Sequence, residues 1–357
     1  MYQTFAFLMV RSMGLEPIRS PIRPSNVRVC LFRHSRKHRY FIIRNSLCQS
    51  FVLIFFEYFY IIFLIMTLDI TKCSLCPNNC FVDRNHKVGA CGMLALPKIA
   101  RVALHMWEEP IISGEKGSGT IFFSGCAMAC VFCQNYEISA LRNGEVYTVE
   151  KLVESIKYLE TLGAHNVNFV NPTHYAHVIK QALTLYRPKI PIVYNSGGFE
   201  KVETLKELEG LIDVYLPDFK YYDDALALKY SGRKNYSSIA KEAIDEMFRQ
   251  CGTPQLENGL LKKGVVVRHL VLPGCIEDSK KVISYLYDKY GENIFLSAMC
   301  QYVPFGKASD YPEINRRLKP IEYKSILSYI LKLGIKNCFV QDLESADESY
   351  IPPFKKG

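Results

Sequence analysis

The sequence predicts an α/β protein: a parallel sheet built from repeated strand–helix units, curled into a partial barrel, with a cysteine-rich extension on its N-terminal side. Three observations carry this. Short apolar runs alternate with amphipathic stretches of roughly ten residues, the pattern of βαβ crossovers. Polar or glycine-rich segments follow the apolar runs at Ser124–Cys126, Asn171–His174, Asn195–Gly198, Pro217–Lys220, Pro273-Gly274 and Gln301-Tyr302. In barrels of this kind chemistry sits at those strand ends. Finally, seven of the thirteen cysteines fall in metal-like spacings between residues 73 and 133.

The elements follow in order. Thr120–Gly125 is a short apolar strand ending in glycine. Residues 149–162 have helical periodicity, with Leu152, Ile156 and Leu159 on one face and Thr148 as N-cap. Strands are expected at 166–170, 192–194, 214–216, 264–271, 294–298 and 338–340. Helices are expected at 174–186, 199–208, 223–230, 237–250, 278–290 and 321–333. Crossover handedness places these helices on the outer face of the sheet. No internal repeat of fixed period is visible.

Charge excludes one class of partner. The chain of 357 residues carries a net charge of +9, but residues 1–66 hold nine Lys/Arg against two Asp/Glu. Residues 67–357 are left with a net of only +2, so the body has no electrostatic footprint for nucleic acid. The first 66 residues combine a basic, Pro/Arg-rich stretch (11–44) with an apolar run (51–66). That run is short for a spanning helix and is interrupted by Glu57. The positive-inside rule would also leave the cysteines outside. The favoured reading is a mis-assigned start, with translation beginning at Met66; a membrane-associated segment is the alternative. The remaining segments are an extension at 67–110, a barrel at 111–345 and a tail at 346–357.

Cys126-Ala-Met-Ala-Cys130-Val-Phe-Cys133 packs three thiols into one short loop. Thiolates select zinc, copper(I) or iron–sulfur clusters. Three ligands leave one position of a cluster free for a non-protein group, whereas structural zinc usually takes two separated pairs. Upstream, Cys73, Cys76, Cys80 and Cys91 form a four-thiol set with turn residues Pro77, Asn78, Asn79 and Gly89. Four thiolates with no spare position fit a closed site, either zinc or an auxiliary iron–sulfur cluster. His86 is a weaker ligand candidate. Clustered thiols of this kind suit a reducing compartment, here the cytoplasm.

The Cx3CxΦC loop resembles that of radical S-adenosylmethionine (SAM) enzymes. Together with Trp107–Gly114, Gly117–Cys126, Cys133–Ser139, Tyr215–Tyr221 and Arg268–Gly274, it resembles the PflX-like subfamily related to the pyruvate formate-lyase activating enzyme. The resemblance spans residues 70–345. It implies a partial (β/α)6 barrel of the radical SAM type, with Cys126, Cys130 and Cys133 holding a [4Fe-4S] cluster and SAM on its fourth iron. Phe132 would lie beside the adenine. Asn195, Ser196, Gly197 and Gly198 match the turn at the SAM amino group, although activases often have an Asp-Thr pair where Asn195-Ser196 stands. Asp218 and Lys220 match positions near the ribose and carboxylate of SAM, and Arg268 a basic residue reaching the same cofactor. The alternatives are a surface ion pair between Asp218 and Lys220 and a structural pairing of Arg268.

The implied activity is reductive cleavage of SAM to a 5′-deoxyadenosyl radical that abstracts hydrogen, an oxidoreductase chemistry run anaerobically. The electron donor would be a flavodoxin or ferredoxin, and the target a glycyl-radical enzyme or a small molecule. A non-catalytic iron–sulfur or metal-binding redox module is the alternative. Tyr136 and Gln301 are candidates to face the substrate. His174, His177 and His269 are candidate acid/base groups, with satisfied cap or core histidines the favoured reading.

Overall fold

The computed structural model describes residues 17–18, 31–32, 68–342 and 354. The chain divides into two compact units, Met1–Thr67 and Leu68–Gly357. In the first, β1 (Pro17–Ile18) pairs antiparallel with β2 (Leu31–Phe32); the apolar run at 51–66 lies outside the described residues. No helix among the described residues is long and apolar enough to cross a membrane.

The second unit carries one large sheet. Its parallel strands are β4 (Ser118–Phe123), β6 (Val167–Val170), β7 (Ile192–Ser196), β8 (Val214–Pro217), β10 (Leu260–Leu270), β11 (Phe295–Met299) and β12 (Cys338–Val340). They lie side by side in chain order, which a one-directional series of crossovers produces. Two antiparallel strands, β3 (Lys98–His105) and β5 (Glu145–Val146), extend the β4 edge. β9 (Gln255–Glu257) hairpins onto β10. The sheet therefore ends at β5 and β12 and does not close, in agreement with the partial barrel expected.

Alternation along each strand divides the core. Ile121, Phe169, Tyr194, Tyr215 and Val267 face the helices, where they meet Leu152, Ile156 and Leu159 of helix Val149–Thr161 and Ile244 of helix Tyr236–Cys251. Thr148 caps the first of these by accepting from the Lys151 N–H. The inner face carries Val193, Val214, Leu216, Val266 and Phe295, plugged by Ile112 from the short helix Pro110–Ser113. Above this apolar floor Asp218, Arg268 and Ser297 occupy one row, fixed by the Asp218–Arg268 bridge and the Arg268–Ser297 register. Polar side chains on that row fall inside the barrel.

Three departures from the sequence expectations have local causes. β3 lies inside the segment read as an extension, yet it is an integral strand. Its period is broken by a bulge between Ile99 and Arg101, and Lys98 and Arg101 mask its apolar character. β10 begins at Leu260, ahead of the expected 264, because Asn258 and Gly259, both at positive φ (51° and 78°), turn the chain back onto β9. That Asn-Gly pair is a hairpin signal in its own right. The expected helix at 199–208 is only Val202–Lys206, because the glycine turn continues through Glu200.

Candidate active site

The three-thiol loop leaves the end of β4 at Gly125. This glycine has φ +77°, and a Cβ would lie 2.8 Å from the Cys91 carbonyl oxygen and closer still to Met93, so only glycine lets the two segments meet. Asn171, at the end of β6, donates its side-chain amide to the Gly125 carbonyl. Each sulfur of the loop accepts one hydrogen bond. The Met128 N–H donates to Cys126 (3.4 Å), the Ser231 hydroxyl to Cys130 (3.0 Å) and the Ser139 hydroxyl to Cys133 (3.2 Å).

Burial, followed by the neighbouring cysteines, pushes the Cys126 and Cys133 thiols up. Both cysteines are partly covered, and a bound metal would take their sulfurs as thiolates, displacing the protons. Among the described residues no three His, Cys, Asp or Glu side chains are gathered tightly around a single-ion point. The loop's soft, all-sulfur donor set, with one hydrogen-bond donor per sulfur, fits an iron–sulfur cluster held at its corners.

Beside the loop lies a buried charge network. Lys220 Nζ donates to Asp218 Oδ2 (2.6 Å), and Arg268 Nε to Asp218 Oδ1 (2.9 Å). The other two guanidinium nitrogens reach Glu108 Oε2 (3.2 Å) and Asn195 Oδ1 (2.7 Å). Asn195 and Asn168 both donate to Glu108 Oε1, at 3.1 and 3.2 Å. Burial alone would raise the Asp218 pKa, but Arg268 and Lys220 more than offset it and hold the carboxyl below its usual range. For Glu108 burial wins over Arg268 and the pKa rises. Burial raises Glu109 as well; its Oε2 and Asn168 Oδ1 are buried acceptors without a hydrogen-bond partner. Every nitrogen of Arg268 thus has a protein partner.

The glycine turn is locked against this network. A Cβ on Gly198 (φ +74°) would stand 2.0 Å from the Asp218 carbonyl oxygen. The Tyr236 hydroxyl, fully buried, sits within 2.9 and 3.0 Å of the Gly197 and Asp218 carbonyls and accepts from the Lys220 N–H at 2.9 Å. Asn195 and Ser196 are buried at the end of β7.

Two residues further on, Glu200 accepts from Thr173 Oγ1 (2.5 Å) and Tyr194 Oη (3.2 Å). Burial pushes its pKa from 4.5 up to about 7 despite these donors. Because the folded state keeps the proton longer than the unfolded chain, this group's stabilisation is complete below pH 4.5 and is lost as pH rises through 7. The full loss is on the order of 3 kcal/mol. Glu200→Gln is therefore expected to melt higher than wild type at pH 8.5, with the advantage gone at pH 5. A difference that does not change with pH would contradict this; thermal unfolding across pH measures it.

The four-thiol segment packs directly on the loop. The Cys91 carbonyl accepts from the Cys126 N–H at 3.3 Å, and Asn78 Nδ2 lies 2.8 Å from the Ala127 carbonyl and 3.5 Å from Cys76 Sγ. Cys80 Sγ accepts from the Ala90 N–H at 3.1 Å. A Cβ on Gly89 would lie 3.5 Å from Cys80 Sγ and 3.6 Å from Cys91 Sγ, so those two sulfurs flank it. All eleven described cysteines are free. Arg84, with no exposed surface, donates to the carbonyls of Met93, Leu94 and His174 and lies over the Tyr175 ring.

The other candidates divide. Phe132 is buried edge-on to Tyr302, with ring centroids 5.7 Å apart. The Gln301 carbonyl accepts from Gln134 in the cysteine loop, and its side chain is held by Gln341. Tyr136 is half-buried against Gly306. His86 is exposed beside Asp83. His174, His177 and His269 each hold one backbone carbonyl, of Ser124, Ala95 and Phe219 respectively, and burial pushes them down to about 3, 3 and 4. They are neutral packing groups. Glu108, Glu109, Asn168, Glu200, Tyr236, Ser139 and Ser231 were not singled out from sequence. Of these, Glu108 and Glu109 lie in the Trp107–Gly114 motif and Ser139 closes the Cys133–Ser139 motif; the others lie outside the quoted motifs.

Comparison with known proteins agrees with this geometry. Residues 120–283 match the sequence profile of the Radical SAM superfamily. Over 275 residues the chain is 32% identical to Uncharacterized protein MJ0674 of Methanocaldococcus jannaschii, covering 74% of this chain and 75% of that one. Similar solved structures include SuiB of Streptococcus suis (14% identity, TM-score 0.44, 62% of this chain). The chain covers 48% of SuiB. Methylornithine synthase (PylB) matches at 16% identity and TM-score 0.43, over 67% of this chain and 74% of that one. HydG of Carboxydothermus hydrogenoformans, an FeFe-hydrogenase maturase, matches at 12% identity and TM-score 0.43, over 66% and 56%. The profile match across the cysteine loop and barrel, with the relative spanning three quarters of both chains, shows that the protein belongs to the radical SAM superfamily.

Proposed function

We propose that this chain is a PflX-like radical SAM enzyme, similar to glycyl-radical-enzyme activases, that holds a [4Fe-4S] cluster on Cys126, Cys130 and Cys133. When bound, the cluster and SAM supply a one-electron cleavage that yields a radical for hydrogen abstraction. The residues here orient and protect. Asp218, Lys220 and the Asn195–Gly198 turn line the place where SAM would lie, Phe132 would back its adenine, and the packed barrel keeps water away. The observation that carries the reading is the three-thiol loop with a hydrogen-bond donor at each sulfur, set beside the Lys220–Asp218–Arg268 network.

Arg84 supports a second metal centre on Cys73, Cys76, Cys80 and Cys91. A guanidinium without exposure, bonded to carbonyls and to no carboxylate among the described residues, is costly to bury uncompensated. Four thiolates around zinc or a cluster would carry the opposing charge. The free thiols fit a reducing cytoplasm, with a flavodoxin or ferredoxin as electron donor and a glycyl-radical enzyme or small molecule as target.

The test is anaerobic reconstitution, reduction and incubation with SAM. The expected result is 5′-deoxyadenosine and methionine in equal amounts. A protein that carries its iron and leaves SAM intact overturns the reading. Metal analysis of the same sample separates a second cluster (about eight irons) from zinc (about four irons and one zinc).

A further inference from the structure

Of the three loop sulfurs, Cys130 is the one whose donor comes from a distant part of the chain. Met128 and Ser139 serve Cys126 and Cys133 from two and six residues away. Ser231 stands 101 residues from Cys130, at the last position of helix Asp224–Ser231. That helix end is docked onto the loop through its backbone as well, the Val131 N–H donating to the Tyr230 carbonyl at 2.9 Å. Behind Ser231 lies a second hydroxyl, Tyr221 Oη at 2.8 Å. Ser231 is fully buried and Tyr221 is 1% exposed, so neither hydroxyl has bulk water as an alternative partner.

The direction of the chain follows from proton counting. A serine hydroxyl has one proton. Spent on the Cys130 sulfur, it leaves the serine oxygen as acceptor, and the phenol must then donate to it. The result is a relay, Tyr221 O–H to Ser231 O–H to Cys130 Sγ, in which each bond polarises the next.

We propose that Ser231 and Tyr221 set the reduction potential of the cluster carried by this loop, by donating through a two-hydroxyl relay to the Cys130 thiolate. The inference rests on the cluster assignment above. A donor at the sulfur withdraws electron density from the iron–sulfur core and favours its reduced form, the more negative of the two. Ser231 acts directly on the ligand, and Tyr221 is a positioning residue that acts only through Ser231. The step affected is the entry of one electron into the oxidised cluster, supplied by the external donor, with no proton transferred along the relay.

The experiment is a redox titration of the reconstituted full-length protein, followed by electron paramagnetic resonance, with iron counted in each sample. Ser231→Ala is expected to lower the midpoint so that the reduced-to-oxidised ratio at the wild-type midpoint falls about tenfold, which is about 59 mV for one electron. Tyr221→Phe removes a single oxygen and is expected to shift the midpoint the same way by less. Adding Tyr221→Phe to Ser231→Ala is expected to change nothing further, because the relay is already cut. This non-additivity distinguishes the relay from a general loosening of the core. Should Ser231→Ala fail to take up iron, Tyr221→Phe alone decides the matter. Midpoints equal to wild type in iron-loaded variants, or fully additive shifts, overturn the inference and leave the cluster assignment standing. Absence of any reducible cluster in the wild type overturns both.

Discussion

Replacing Cys126, Cys130 or Cys133 by Ala is expected to abolish 5′-deoxyadenosine formation, with a loss of more than about 100-fold. Removing even an outer partner of a metal ligand costs up to that much. The three sulfurs share one loop and each carries its own hydrogen-bond donor, so each is a distinct ligand position that alanine leaves empty. The metal-free fold should tolerate the change, because each cysteine is only partly covered and the loop is tied down by backbone bonds from Cys126 to Cys91 and from Val131 to Tyr230. Circular dichroism of the metal-free variants should therefore match wild type while their iron content falls. Cys338→Ala, on the edge strand β12, is the control and should keep wild-type turnover. Activity surviving in all three loop variants would contradict the assignment.

Arg268→Met is expected to be the most damaging single change for stability. The guanidinium joins Asp218, Glu108 and Asn195 inside the barrel. Removing it leaves two buried carboxylates short of a partner, and breaking a buried ion pair typically costs roughly 3–5 kcal/mol. For a unit of this size that corresponds to a fall in melting temperature of roughly 10 °C. Adding Glu108→Gln should recover part of the loss. That side chain then needs no counter-charge, and Asp218 keeps Lys220 at 2.6 Å. Thermal unfolding of the single and double variants checks this; a double variant less stable than the single one would show that Glu108 is not held by charge.

The sequence carried the fold because its strands and helices obey their own periods. Leu152, Ile156 and Leu159 mark a helix face, and the runs at 166–170 and 294–298 mark buried strands almost to the residue. The cysteine motifs were legible for the same reason, since spacing within one loop is a local property. The network was not. Arg268 and Glu108 are 160 residues apart and meet only because helix Pro110–Ser113 plugs the barrel from below, bringing Glu108 up against the inner face of β10. Ser231 and Arg84 were hidden differently. A serine at a helix end and an arginine in a polar loop are ordinary in sequence, and only burial beside a thiol gives them meaning. Glu200 was concealed because it falls inside the helix expected at 199–208, whereas the helix starts only at Val202.

The central claim is that three thiolates leave one iron of the cluster open and that SAM occupies it. Electron–nuclear double resonance of the reduced protein with SAM labelled at its methionine nitrogen or carboxylate oxygen tests this most directly. The account predicts hyperfine coupling from both labels in the wild type. A fully loaded four-iron cluster that shows coupling to neither label would contradict it.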